Sequence, residues 1–273
     1  MPYIKTKDDV SLFYRDWGTG KPVVFIHGWP FNADMWEYQI TPMARQGLRC
    51  IAYDRRGFGR SEQPLGPYNY DVFADDLAIL LDTLDLHDVT LVGFSMGGGE
   101  IARYLSRHGA GRIAKAVLVS SVVPYLLKTP DNPEGLDRGI FDQMVGGLET
   151  DRPHYVATFG KSYFNVGLLT SPVSVEILGW GLGMAMRASP IATIDCIRAF
   201  SETDFRGDLA AFTIPTLVIH GTGDQIVPAS VAGRRAAAGI SGAVYKEYEG
   251  APHGLFVSEK TRLTADLLDF IGP

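Results

Sequence analysis

The sequence predicts an α/β protein in which helices cover both faces of a mostly parallel sheet. Short β-rich runs alternate along the chain with stretches of helical period, which is the pattern of such a sheet. The run "PVVFIH" (22–27) is continuously apolar, as expected of a strand buried on both faces, and "VTLVGF" (89–94) is predicted to be the next buried strand. With 273 residues the chain is also long enough to bury the core of one large α/β domain.

The alternation also gives the order of the elements. Strands are predicted over 10–18, 22–27, 48–54, 89–94, 113–121, 214–221 and 243–250, and helices over 33–47, 70–84, 96–108, 229–239 and 258–271. From 122 to 205 no buried strand is evident, and prolines, aromatic residues and helix-like pieces take its place. We therefore predict a core formed by residues 1–121 and 206–273 and a helical cap insertion over 122–205.

Two of these stretches carry a local expectation. The helix over 70–84 is expected to hold Asp75 and Asp76 on its outer side. The glycine-rich "GWGLGMA" (179–185), inside the insertion, is expected to be flexible because glycine restricts the backbone least.

The composition argues against several classes of function. A formal net charge of −6 disfavours a nucleic-acid partner, which requires a basic face. The N-terminal "MPYIKTKDDV" has no apolar signal core, and no stretch approaches the ~18 apolar residues of a membrane span, so we expect neither export nor membrane insertion. Cys50 and Cys196 match no metal-binding or redox spacing and are expected to be buried thiols, which fits a cytoplasmic protein.

One serine has the sequence context of a catalytic nucleophile. Ser95 is the centre of "GFSMG" (93–97), which matches G-x-S-x-G between a predicted buried strand and a predicted helix. On such a sharp turn the serine is held in a strained conformation, with its Oγ exposed at the carboxyl edge of the sheet. Gly93 and Gly97 are needed because side chains there would collide with the neighbouring strand and helix. The helix N-terminus behind Ser95 also favours developing negative charge.

A serine needs a base to become nucleophilic, and the base needs an acid that orients it. Among the six histidines, His253 follows the last predicted strand, so its loop reaches the same sheet edge as Ser95. Asp224 follows the preceding strand by three residues and reaches that edge too, and no acid follows the strand ending at Ser121. We therefore predict a triad in the chain order Ser95, Asp224, His253. His220, which closes a strand, is expected to be buried and hydrogen-bonded rather than reactive.

These motifs resemble the α/β-hydrolases and, more narrowly, the bacterial arylesterases and cofactor-free haloperoxidases (perhydrolases). The resemblance is carried by "HGWP" (27–30), "DMWEYQ" (34–39), "DRRGFGRS" (54–61), "YDVFADDL" (70–77), "LVGFSMGGGEIARY" (91–104), "TLVIHGTGDQIVP" (216–228) and "APHG" (251–254). It covers nearly the whole chain and is weakest in the insertion. It implies the α/β-hydrolase fold, with an eight-stranded, mostly parallel sheet and a helical cap, and it implies no metal or organic cofactor.

The resemblance also implies a role for individual residues. Ser95 would attack an acyl carbonyl with His253 as base and then acid, while Asp224 would hold the imidazole. The backbone N–H groups of Trp29 and Met96 would meet the oxyanion. The residues that the resemblance places in the substrate pocket are Trp29, Pro30, Val122, Phe159, Phe200 and Ile226. His27 is expected to brace its loop, and Arg55 and Arg56 to form buried ion pairs or loop hydrogen bonds rather than an anion site.

The predicted activity is hydrolysis of small esters through an acyl-enzyme, with water as acceptor, and formation of a peracid when hydrogen peroxide is the acceptor. Pro30 fixes its own φ and biases Trp29, so we hypothesise that it sets where the Trp29 carbonyl points and thereby assists perhydrolysis. A lactonase, a γ-lactam hydrolase or a carbon–carbon bond hydrolase could use the same triad. A receptor of this fold that binds a small molecule without turnover is a remote alternative, and a homo-oligomer is compatible with the sequence.

Overall fold

The computed structural model describes residues 2–167 and 171–272. Within these ranges it contains an eight-stranded sheet in the order β1-β2-β4-β3-β5-β6-β7-β8. The strands are β1 (Tyr3–Lys5), β2 (Ser11–Trp17), β3 (Pro22–Ile26), β4 (Arg49–Tyr53), β5 (Val89–Phe94), β6 (Ile113–Val119), β7 (Thr216–Gly221) and β8 (Val244–Tyr248). β2 pairs antiparallel with β1 and β4, and all other pairs are parallel. The predicted mostly parallel, eight-stranded sheet is confirmed.

Helices lie on both faces of the sheet, as predicted. They are α1 (Glu37–Arg45), α2 (Tyr70–Thr83), α3 (Met96–His108), α4 (Arg138–Tyr163), α5 (Val175–Ala185), α6 (Pro190–Glu202), α7 (Gly233–Gly239), α8 (Leu255–Ser258) and α9 (Lys260–Ile271), with short 3-10 helices over Ala33–Trp36 and Arg206–Ala211. α1 packs with α8 and α9, while α2 packs against α3. No helix of the described ranges combines the length and the apolar character needed to cross a membrane.

The central strands place the ends of several loops at one edge of the sheet. Every residue of β5 and β7 is buried, which is characteristic of parallel strands covered on both faces. In the parallel register Ile26 of β3 lies beside Gly93 of β5, and Gly93 lies beside Leu118 of β6. The carboxyl ends of neighbouring strands therefore lie at the same edge of the sheet, and the segments that follow these strands lie close together there.

Residues between β6 and β7 fold into α4, α5 and α6. α4 is kinked at Asp151, where φ is −154° and ψ is 83°. The Ser174 side chain caps α5 by accepting from the Ile177 N–H, and the Ser189 side chain caps α6 by accepting from the Ala192 N–H. The stretch 179–185 belongs to α5, and its expected flexibility stays a prediction.

Some element boundaries differ from the sequence prediction. The strand β1 was not among the predicted runs, and the helix predicted over 33–47 begins as a 3-10 turn before α1. The helix predicted over 229–239 is confined to α7. Asp76 was placed on the outer face of α2, which was wrong: it is only 2% exposed because its carboxylate pairs with the buried Arg56, at 2.7 Å from Nε.

Candidate active site

The Ser95 backbone has the strained geometry predicted for a nucleophile on a sharp turn. Its φ of 53° and ψ of −116° lie where residues with a side chain are rarely found, between the end of β5 and the start of α3. A Cβ added to Gly93 would lie 2.5 Å from the Gly97 carbonyl oxygen, and one added to Gly97 would lie 2.5 Å from the Ile26 carbonyl oxygen. Both glycines therefore let the helix approach the sheet closely enough to hold the turn.

Ser95, His253 and Asp224 form one hydrogen-bonded chain. The Ser95 Oγ lies 3.1 Å from His253 Nε2, and His253 Nδ1 lies 2.6 Å from Asp224 Oδ2. Since a carboxylate only accepts, His253 carries its proton on Nδ1 and presents a lone pair on Nε2 to the serine hydroxyl. The rings of Phe94 and Tyr163 pack on the His253 ring, with centroid distances of 5.0 and 4.7 Å. These contacts limit the rotation of the imidazole.

The Asp224 carboxylate is buried but fully supplied with donors. Its Oδ1 accepts from the N–H groups of Ile226 (3.0 Å) and Val227 (2.8 Å). Burial alone would raise the pKa of Asp224, but the charge of His253 and the hydrogen bonds from His220 and His253 outweigh it and hold the pKa well below its usual value. Asp224 is therefore ionised at neutral pH, as the orienting acid of a triad must be.

Of the two predicted oxyanion donors, Trp29 lines the same cavity as Ser95, and Met96 directly follows Ser95 in the chain. Trp29 follows β3, and Met96 is the first residue of α3. Neither backbone N–H donates to another protein group within residues 2–167 and 171–272. The Trp29 indole is occupied elsewhere, because its Nε1 donates to the Thr193 carbonyl at 2.9 Å. The backbone N–H is therefore the hydrogen-bond donor of Trp29 that is available to a substrate.

A buried ion pair connects the loop after β3 with the nucleophile helix. Arg55 donates from Nη2 to the His27 carbonyl (3.0 Å) and from Nε to Glu100 Oε2 of α3 (2.7 Å). The Arg55 N–H also donates to His27 Nε2 (3.0 Å). Burial and the Arg55 charge lower the pKa of His27 well below its usual value, so the ring acts as a neutral acceptor. The predicted brace by His27 and the predicted buried ion pairs of Arg55 and Arg56 are confirmed.

Ser95 and His253 open onto a cavity of about 340 Å³ with a mostly apolar wall. Of the residues predicted to form the pocket, this cavity is lined by Trp29, Val122, Phe159, Phe200 and Ile226. The Trp29 ring packs edge-on against Phe159 and Phe200, at 5.3 and 5.9 Å between centroids. No Asp, Glu, Lys or Arg belongs to the lining formed by the described residues. The cavity is therefore suited to a neutral, largely apolar molecule.

Pro30 is not among the residues that line this cavity, contrary to the prediction. It lines a smaller cavity of about 20 Å³, shared with Phe31, Phe159 and Gly181. The chain turns here, and the Phe31 N–H donates to the Gly28 carbonyl at 3.0 Å. This turn lies between the two cavities, with Trp29 on the side of the reacting groups and Pro30 on the other.

Sequence reasoning missed most of the wall that α4 contributes. The missed residues of α4 are Ile140, Phe141, Gln143, Met144, Tyr155, Ser162 and Tyr163, and those outside it are Leu126, Leu136, Gln225 and Val227. Tyr155, Phe159 and Ser162 are spaced four and three apart, which places them on one face of a helix. That spacing was the available signal, but it does not say whether the face turns to the core or to a cavity. No group of His, Cys, Asp and Glu in the described ranges is clustered so as to hold a metal ion.

A sequence profile of the alpha/beta hydrolase fold matches residues 21–171, more than half of the chain. The protein belongs to the α/β-hydrolase family. The α/β-hydrolase resemblance found in the motifs is thereby confirmed, and so is the predicted fold.

Relatives of this α/β-hydrolase match over almost the whole chain. It is 44% identical over 273 residues to the non-heme chloroperoxidase CPO-A1 of Kitasatospora aureofaciens, with 99% of both chains covered. It is 38% identical over 276 residues to the bifunctional esterase/perhydrolase DCH of Acinetobacter calcoaceticus, again with 99% of both covered. The crystal structure of a bromoperoxidase from Bacillus anthracis is similar, with 46% identity and a TM-score of 0.94 over 96% of this chain and 95% of that one.

Proposed function

We propose that the protein is a serine hydrolase that cleaves small, neutral carboxylic esters through an acyl-enzyme and also transfers the acyl group to hydrogen peroxide. The observation that carries this proposal is the hydrogen-bonded chain from Ser95 through His253 to Asp224, opening onto an uncharged cavity. Relatives named as a chloroperoxidase and as an esterase/perhydrolase support both acceptors.

In the acylation step the ester carbonyl lies beside Ser95. His253 Nε2, 3.1 Å from the Ser95 Oγ, takes the hydroxyl proton as the oxygen attacks the carbonyl carbon. The negative charge that develops on the carbonyl oxygen is met by the N–H groups of Trp29 and Met96. Each such donor contributes about 3 kcal/mol to lowering the barrier. His253 then gives the proton to the departing alcohol oxygen, and Asp224 stabilises the imidazolium meanwhile.

Deacylation repeats these proton transfers with a small acceptor. Water attacks the acyl carbonyl with His253 as base, which releases the carboxylic acid and restores the Ser95 hydroxyl. Hydrogen peroxide attacks in the same way and releases a peracid. The peracid oxidises a halide to hypohalous acid and is itself reduced to the carboxylic acid, which accounts for haloperoxidase activity without a redox group in the protein.

The reaction class is tested by labelling the protein with a fluorophosphonate. We expect one adduct per chain, on the peptide that contains Ser95, because the base and oxyanion donors that activate this hydroxyl toward esters also serve phosphonylation. The adduct is measured by mass spectrometry of the intact protein and its peptides. The Ser95→Ala variant should form no adduct. If the wild-type protein also forms none, the proposed hydrolase function is refuted and the receptor alternative remains.

The perhydrolase part is tested by bromination of a diketone in the presence of acetate, hydrogen peroxide and bromide. An esterase-active protein that is inert in this assay would contradict it. Because Pro30 restrains the backbone of the turn that carries the Trp29 carbonyl, we expect Pro30→Leu to lower the ratio of perhydrolysis to hydrolysis. The measurement is the bromination rate divided by the rate of p-nitrophenyl acetate hydrolysis, and an unchanged ratio would remove Pro30 from the account.

The lactonase, γ-lactam hydrolase and carbon–carbon bond hydrolase alternatives use the same triad, so substrates must separate them. Comparing kcat/KM for a panel of p-nitrophenyl esters, lactones and a γ-lactam does so. A cytoplasmic location is part of the proposal and is supported by Cys50 and Cys196, which are buried and free rather than paired. Whether copies of the chain associate is answered by sedimentation of the purified protein.

A further inference from the structure

A second histidine contacts the acid of the triad. His220 lies near the end of β7 and has no exposed surface. Its Nε2 lies 2.8 Å from the Val227 carbonyl oxygen and 3.2 Å from Asp224 Oδ2, the same oxygen that accepts from His253. The Val227 N–H in turn donates to Asp224 Oδ1. His220, Val227 and Asp224 thus close a small ring of polar contacts behind the triad.

The position of the proton on His220 follows from its partners. The Val227 carbonyl can only accept, so the proton of the ring must be on Nε2. The other nitrogen, Nδ1, is buried and has no hydrogen-bond partner in the described part of the chain. It faces Gly233, where a Cβ would lie only 2.4 Å away. The absence of a side chain at Gly233 lets the ring sit so that its Nε2–H, and not Nδ1, is turned toward Asp224.

We propose that His220 is a positioning residue that sets the orientation and the effective charge of the Asp224 carboxylate for His253. This proposal rests on the proposed hydrolase function. His220 fixes the carboxylate in two ways. It holds the carbonyl of Val227, and the N–H of Val227 donates to Asp224 Oδ1. It also turns its own Nε2–H toward Asp224 Oδ2. With both oxygens held, the carboxylate cannot rotate away from His253 Nδ1.

The His220 N–H also competes with His253 for the negative charge on Oδ2. Without it, the whole charge of Asp224 would act on His253, and the protonated form of His253 would become more stable. The other ionisable groups that face these residues are Tyr163 of α4, packed on the His253 ring, and Glu247 of β8, opposite His220 in the ladder. Glu247 is paired with Arg234, so its charge is balanced on its own strand face and not by His220.

The experiment compares His220→Leu with His220→Gln. Leucine removes the N–H, whereas the glutamine amide can place a donor near the position of Nε2. We expect His220→Leu to lower kcat for p-nitrophenyl acetate by about tenfold, the effect of one hydrogen bond to a charged group, with little change in KM. We also expect the acid limb of its kcat/KM profile to move to higher pH by up to about one unit. His220→Gln should restore both.

The two variants separate positioning from packing. Equal losses of kcat in the leucine and glutamine variants, with unshifted pH profiles and similarly lowered Tm, would overturn the proposal. If the leucine variant does not fold, His220→Asn, whose shorter side chain cannot reach Asp224, provides the same comparison. The fluorophosphonate label of the wild-type protein tests the hydrolase function separately. If the wild-type protein forms no adduct on Ser95, the hydrolase function is refuted. If it forms the adduct but the His220 variants keep the wild-type kcat and pH profile, only the positioning role is refuted.

Discussion

Replacing Ser95 by alanine is expected to lower kcat for p-nitrophenyl acetate by about 10⁶, the loss found when a triad nucleophile is removed. The Oγ is the atom that His253 deprotonates, at 3.1 Å, and no acyl-enzyme can form without it. The oxyanion donors and the cavity remain, so a small rate above that of water should persist. The measurement is the steady-state rate at saturating ester, corrected for spontaneous hydrolysis.

Ser95→Gly is the matched control for this substitution. It removes the same hydroxyl and should be equally inactive, but it also relieves the strain of a non-glycine residue at φ 53°. We therefore expect its free energy of unfolding to exceed that of the alanine variant by about 1 kcal/mol. If the alanine variant kept more than a few per cent of the wild-type kcat, the nucleophile would have to be sought elsewhere.

Asp224→Asn is expected to lower kcat by about 10⁴ while leaving the fold intact. The asparagine oxygen can still accept from the N–H groups of Ile226 and Val227, so its amide nitrogen takes the place of Oδ2. A donor then faces the Nδ1–H of His253. The imidazole must adopt the other tautomer, with its proton on Nε2, and can no longer accept the proton of Ser95.

This result is measured as kcat and KM for the same ester, with thermal unfolding as the control for structure. The expected pattern is a loss in kcat and a nearly unchanged KM, because the carboxylate acts on the transition state and does not line the cavity. A loss of less than about tenfold would contradict the assignment of Asp224 as the acid of the triad.

The sequence was most informative where function depends on local geometry. Ser95, Asp224 and His253 each directly follow a strand or lie in the loop after one, and parallel strands bring such loops to one edge of the sheet. Periodicity and turn residues are enough to place strand ends, so the triad could be predicted without knowing how the helices pack. Gly93 and Gly97 could be interpreted for the same reason, since their neighbours are set by the turn itself.

The features that the sequence did not reveal depend on contacts between distant segments. Asp76 looks like a solvent-facing acid of α2, and only the position of Arg56, twenty residues earlier, makes its burial favourable. The glycines of α5 have low intrinsic helix propensity, and the Ser174 cap and the packing of Gly181 near Phe31 support the helix. The wall formed by Phe141 and Tyr155 likewise depends on how α4 lies over the sheet edge.

The separation between the reacting groups and the cavity wall has a consequence for how such an enzyme diversifies. The triad and Trp29 come from loops that follow strands and Met96 from the first turn of α3, whereas much of the wall comes from α4 and α6, between β6 and β7. Inherited changes at cavity-lining positions of these helices other than Tyr163, which packs on His253, can alter which ester fits without moving a proton-transferring atom. Descendants of one enzyme can therefore acquire new substrates through changes in α4 to α6, while each of them retains the groups that carry out acyl transfer.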